Sequence, residues 1–143
     1  MTTQDGGAVK TSWVRYILSF PALALVVAAY NAFVLLTFGM LDALSQMFSW
    51  VLPSGAEAFF SAGDLFVIAG VVALFTEIVK AAKMGTASWA ARGMSLALFA
   101  VALIEFLFVP FCGTSSFFIL LVMTLISVLA GFSIAWFGWR YTR

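Results

Sequence analysis

Glu105 is the side chain best placed to do chemistry in this sequence. It is a carboxyl group inside a long apolar run, and no Lys or Arg lies at its level. An acid in such a setting can bind and release a proton, hold a cation, or act as hydrogen-bonding glue between helices. With no basic partner in reach, it is expected to donate a hydrogen bond, with Asn31 as the candidate acceptor. Thr124 and Ser127 interrupt another apolar run in the same way. Glu77 reads differently. Lys80 is three residues on, which puts both on one helical face, so the pair Glu77 and Lys80 is expected to be a structural ion pair near a helix end.

What is missing bounds the chemistry further. The chain has no His, which removes bis-His haem ligation, most catalytic zinc sites and Ser-His or Cys-His nucleophilic pairs. Its one cysteine, Cys112, has no intramolecular disulfide partner and reads as a small packing residue. There is no Gly-rich phosphate loop ending in Lys-Ser or Lys-Thr. The six carboxylates are too scattered to form a metal cluster. No catalytic residue, metal, cofactor or nucleic-acid partner is expected, and the chain is not read as an enzyme.

The elements that must carry these residues follow from composition. Hydrophobic residues make up 64% of the 143 residues and charged ones 9%, against about 45–50% and about 25% in soluble domains. Four apolar runs cover residues 15–37, 65–80, 94–111 and 117–139. A spanning helix needs about 17–25 such residues. In lipid every backbone polar group must be paired internally, so spans are helices or closed barrels. Barrel strands alternate apolar and polar residues, and the run from Phe117 to Met123 does not. The expectation is one all-α membrane domain over 1–143: four transmembrane helices in an antiparallel bundle behind a flexible tail at 1–12. The run after Arg15 is too long for the core of a secretory signal, so it is read as an uncleaved span.

Charge orients the bundle. Lys10 and Arg15 precede the first run; Lys80, Lys83 and Arg92 lie between the second and third; Arg140 and Arg143 follow the fourth. The links 38–63 and 110–116 contain no Lys or Arg. Basic residues mark the cytoplasmic side, so both termini are expected there, in a bacterial inner membrane.

Local patterns complete the reading. Leu41, Leu44, Phe48 and Val51 recur at helical spacing, predicting a short interfacial helix in the outer link, broken by Pro53-Ser54-Gly55. Ser61-Ala62-Gly63-Asp64 has capping-box form, and Thr114 or Ser115 is suited to cap the fourth helix. Pro21 falls in the second turn of the first span, where a mild kink is expected. Small residues four apart predict close helix approach, within the bundle or against a second subunit. Ala24, Ala28 and Ala32 form such a face on the first span, and Ser127, Gly131 and Ala135 on the fourth. At about 1.5 Å per residue, Asn31 lies roughly 22 Å and Glu105 roughly 18 Å from the inner edge. Thr124 and Ser127 are about as deep, so the four form a candidate intramembrane polar cluster.

Gly63-Asp64-Leu65, Glu77-Ile78-Val79-Lys80, Glu105-Phe106-Leu107 and Gly113-Thr114-Ser115-Ser116-Phe117-Phe118 together resemble a group of small bacterial inner-membrane proteins. That resemblance implies a four-span topology and brings no activity with it. Small multidrug exporters also have four spans, but they carry their acid in the first, where this chain has Asn31. The functional expectation is an accessory, scaffold or assembly protein of the inner membrane. It would have the lipid bilayer around it and pack against a second copy or a larger complex. The alternative is a small oligomeric transporter or channel that uses Glu105 as a protonatable site. The orientation is directly testable. A cysteine at Glu57 is expected to react with a membrane-impermeant thiol reagent in intact cells and one at Lys83 is not; the reverse pattern overturns it.

Overall fold

The computed structural model describes residues 20–37, 46–84 and 89–141. In chain order these form α1 (Ala22–Leu36), a hairpin of β1 (Gln46–Val51) and β2 (Glu57–Ser61), α2 (Ala62–Met84), α3 (Trp89–Phe108), a single 3-10 turn (Pro110–Cys112) and α4 (Ser115–Tyr141). The helices α2, α3 and α4 are each long and apolar enough to cross a membrane; α1 is a shorter apolar helix. The tail and residues 15–19 of the expected first span lie outside the described residues.

The starts of α2 and α4 have a local cause. At α2, Ser61 Oγ accepts from the Asp64 N–H at 3.1 Å, and Asp64 Oδ2 accepts from the Ser61 N–H at 2.8 Å. That is the reciprocal capping box its spacing predicts. At α4, Thr114 Oγ1 accepts from the Phe117 N–H at 3.2 Å. The helices run wider than hydropathy alone suggests: α2 and α3 have 23 and 20 residues. Pro21 corrects the expected kink. It is not inside a helix but precedes one, with extended backbone at φ −67° and ψ 123°.

The outer link also departs from expectation. Residues 46–51, placed in an interfacial helix, are a strand paired antiparallel with β2, so the chain is mostly helical rather than all-α. Residues 41–45 of that expected helix lie outside the described residues. The apolar spacing fits a helix, but Phe48, Trp50 and Val51 suit a strand. Phe59 and Phe60 supply an apolar partner strand across the turn. Phe48 opposes Phe60, their rings stacked at 5.1 Å. Pro53-Ser54-Gly55 closes the hairpin instead of ending a helix, and Gly55 takes φ +81°, which favours glycine.

Helix directions follow from who meets whom. Gly63 lies against Ser116, Gly70 against Leu120 and Met123, and Glu77 against Ser127, so α2 and α4 run parallel. Tyr30 and Phe33 meet Phe66 while Leu23 meets Glu77, which makes α1 antiparallel to α2. Phe106 stacks on Phe117 at 6.5 Å and Arg92 approaches Gly131, which makes α3 antiparallel to α4. Directions therefore alternate along the chain, and the most extensive packing joins the parallel pair α2 and α4, with α3 on α4 and α1 on α2.

The core gathers Leu23, Val27, Tyr30 and Val34 of α1, Ala73 of α2, Ala102 of α3 and Phe117, Leu120 and Leu121 of α4. The expected small-residue face of α1 is not the one that packs within the bundle: Ala28 and Ala32 are exposed and Ala24 is half-buried. The side that packs is the one carrying Tyr30, whose ring lies 5.3 Å from Phe66 and 5.2 Å from Phe117. A large aromatic filling a three-helix junction leaves no need for close backbone approach. On α4, Gly131 and Ala135 are half-buried, and a Cβ on Gly131 would meet only Arg92 Cγ, at 3.7 Å. The tight approaches between α2 and α4 are at Gly63, where a Cβ would run into the Ser116 side chain, and at Gly70, where it would lie 2.7 Å from Leu120 Cδ2 and 2.8 Å from Met123 Sδ. Thermal unfolding in detergent is expected to show Gly70→Val losing about 1–3 kcal/mol by overpacking. Gly131→Ala is expected to stay within about 0.5 kcal/mol of the parent. Equal losses would place the close contact elsewhere.

Candidate functional site

The polar residues inside the bundle form two separate groups rather than one cluster. The deeper is built on Glu77, which is 9% exposed. It stands seven residues before the end of α2 and fifteen after its start, about 10 Å and about 22 Å from the two ends. Its Oε1 accepts the backbone N–H of Leu23 at 2.7 Å, and its Oε2 accepts a short bond from the Ser127 hydroxyl.

The first of these bonds explains how α1 can begin where it does. The opening turn of any helix leaves backbone N–H groups without intrahelical partners. Pro21 at the N-cap has no side chain that can accept one. The Ala24 N–H reaches Pro21 O at 3.1 Å, and the Leu23 N–H is taken by Glu77. A carboxylate from α2 thus caps α1 in trans, at the positive end of its dipole. Such placement contributes up to about 2 kcal/mol in partly buried geometry. Ser127 fixes the other oxygen, so the node ties together α1, α2 and α4.

This corrects the expected ion pair. Among the described residues no ion pair joins Glu77 to Lys80; its carboxylate is turned inward to Leu23 and Ser127. The helical spacing does place Lys80 near Glu77, but a long basic chain can reach the interface, whereas a buried N–H cannot leave. The N–H therefore decides where the carboxylate points.

The second group lies at the opposite end. Asn31 Nδ2 donates to Glu105 Oε2 at 2.8 Å, and the Cys112 thiol donates to Asn31 Oδ1 at 3.7 Å. Beside them the Tyr30 and Thr114 hydroxyls share a 2.5 Å hydrogen bond. Burial pushes the Cys112 thiol above its usual range and the nearby Glu105 adds to this, so it remains a protonated donor. The partnership of Asn31 with Glu105 is the one the sequence points to, with the direction reversed: the amide donates and the carboxyl oxygen accepts. Their depth is not the expected one. Since α3 starts at Trp89, Glu105 is only three residues from its end, about 5 Å from the helix terminus. It is half-buried, and among the described residues only its Oε2 is engaged.

The remaining members of the expected cluster fall elsewhere. Thr124 is almost fully buried, but its hydroxyl donates to Leu121 O of its own helix at 2.7 Å. Ser127 belongs to the Glu77 node. Asn31 and Glu105 come together; Thr124 and Ser127 join neither them nor each other. The sequence signals for what was missed are modest. A Pro just before an apolar run marks a helix start, and a Tyr inside one calls for a hydroxyl partner.

The Glu77 node yields a graded test. Glu77→Gln keeps a carbonyl for the Leu23 N–H and is expected to cost about 1 kcal/mol. Glu77→Ala strands the N–H and the Ser127 hydroxyl, and is expected to cost about 2–4 kcal/mol. Thermal melting of both variants in detergent checks this, and equal melting points would remove the capping role.

No protein-family model, curated protein or solved structure matches this chain.

Proposed function

We propose that this protein is an integral membrane bundle of accessory, scaffold or assembly type. It sits in a bacterial inner membrane with both termini cytoplasmic and packs against a second copy or a larger complex. The observation that carries this reading is the state of its interior. Among the described residues no buried side-chain nitrogen or oxygen lacks a hydrogen-bond partner, and the deepest carboxylate, Glu77, is consumed by holding three helices together. A route for ions or protons needs polar groups free to exchange partners, and these are spent on packing. Three helices apolar enough to cross a membrane support the membrane setting. The alternation of helix directions, taken with the Lys and Arg residues at one set of ends, supports the orientation and four spans. The loose resemblance to small four-span inner-membrane proteins agrees with this and names no activity.

One observation favours the transport alternative: Glu105 has an oxygen with no partner among the described residues and lies near a helix end, where water can reach it. Glu105→Gln separates the two readings, because glutamine hydrogen-bonds but does not exchange a proton near neutral pH. A scaffold is expected to retain its assembly and copurifying partners in the Gln variant, and to pass no protons in liposomes carrying a pH-sensitive dye. A wild-type proton flux that disappears in Glu105→Gln would sink the scaffold reading.

A further inference from the structure

We propose that the β1–β2 hairpin lies flat in the headgroup zone of the outer membrane surface, with phospholipid as the partner that covers it. This rests on the membrane reading above and adds a specific lipid-contacting element to it. Side chains alternate between the two faces of a strand. One face of the hairpin carries Phe48, Trp50 and Phe60, and the other carries Val51 and Phe59, with Leu52 at the tip. All six are exposed; Trp50 is 69%, Phe48 56% and Phe59 51% accessible. A protein partner would cover one face and leave the other in water. A medium that surrounds the hairpin on both sides meets the whole pattern.

The backbone limits how deep that medium can be. Among the described residues the sheet has two strands, so the outer edge of each leaves N–H and C=O groups unpaired by another described strand. Hydrocarbon does not tolerate such edges, whereas the hydrated headgroup layer supplies partners. Aromatic side chains, Trp above all, favour that same layer. Rings and edges are satisfied together only at the boundary between headgroups and acyl chains.

Two further features agree. Residues 46–61 contain one charged side chain, Glu57, and no Lys or Arg, so the attraction is not to anionic lipid. The hairpin is also continuous with the span: β2 ends at Ser61 and α2 starts at Ala62, clamped by the Ser61–Asp64 bonds. Leu65 and Ile68 then open the exposed apolar surface of α2. A five-residue strand is about 17 Å long, and the headgroup layer is about 5–8 Å deep. An upright hairpin would push its aromatics into water; a flat one does not.

Fluorescence quenching tests this. A form with Trp50 as its sole tryptophan (Trp13, Trp89, Trp136 and Trp139 replaced by Phe) is reconstituted into phosphatidylcholine vesicles. Lipids brominated near the top of the acyl chain are expected to quench Trp50 more than lipids brominated near its end, and far more than aqueous iodide. The same order is expected when phosphatidylglycerol is added. Strong iodide quenching without bromolipid quenching would show a hairpin standing in water, and protection from both would show a protein cover such as a second copy; either overturns the proposal. Phe75→Trp, on the exposed middle of α2, serves as the control and is expected to be quenched by the deeper bromolipid. If it is not, the membrane reading itself fails and the hairpin proposal with it. Should the tryptophan replacements impair folding, an environment-sensitive dye on Val51→Cys in the otherwise native chain gives the same comparison, since Cys112 is buried.

Discussion

A backbone N–H shut inside an apolar bundle has to be given an acceptor, and the Leu23 N–H is the one around which this fold is organised. Helix α1 opens after a proline that offers no cap. Lipid and packed side chains supply no water to take its place. The acceptor comes from Glu77 on α2, and Ser127 on α4 holds the same carboxylate. One side chain therefore sets the start of α1, its height against α2 and the rotation of α4.

The packing around the node follows from that placement. With Glu77 and Ser127 in register, Gly70 is brought against Leu120 and Met123, and Gly63 against Ser116. Two helices separated in sequence by α3 thus run parallel in close contact. Association in lipid depends on such fits because apolar burial alone contributes little. Tyr30 then fills the space that α1 leaves between Phe66 and Phe117, with its hydroxyl bonded to Thr114. The tight turn between α3 and α4 is fastened to α1 in this way, and Asn31 with Glu105 and Cys112 fastens it again.

The two carboxylates consequently exchange the characters that a linear reading assigns them. Glu77, beside a basic residue in sequence, is the deep and fully engaged one. Glu105, alone in its apolar run, is near a helix end, and among the described residues only its Oε2 is engaged. The protein's buried polar groups are used to hold helices in place, and the scaffold role proposed above rests on that use.

Much of this was legible without a structure. Long apolar runs with few charges dictate helices that bury their own backbone bonds, and this alone determines α2, α3 and α4. The capping box at Ser61 and Asp64 and the Thr114 cap are local chemistry, so spacing reveals them. The pairing of Asn31 with Glu105 was also legible, because polar groups in apolar runs seek each other. Tertiary structure decided the rest. Residues 46–51 became a strand because Phe59 and Phe60 across the turn offered a partner surface, and no local period records that. The packing face of α1 went to Leu23, Val27, Tyr30 and Val34 rather than to Ala28 and Ala32, because a helix face is chosen by the shape that meets it. Glu77 turned from Lys80 to the Leu23 N–H because a buried donor has one place to go, while an ammonium on a flexible stem has many.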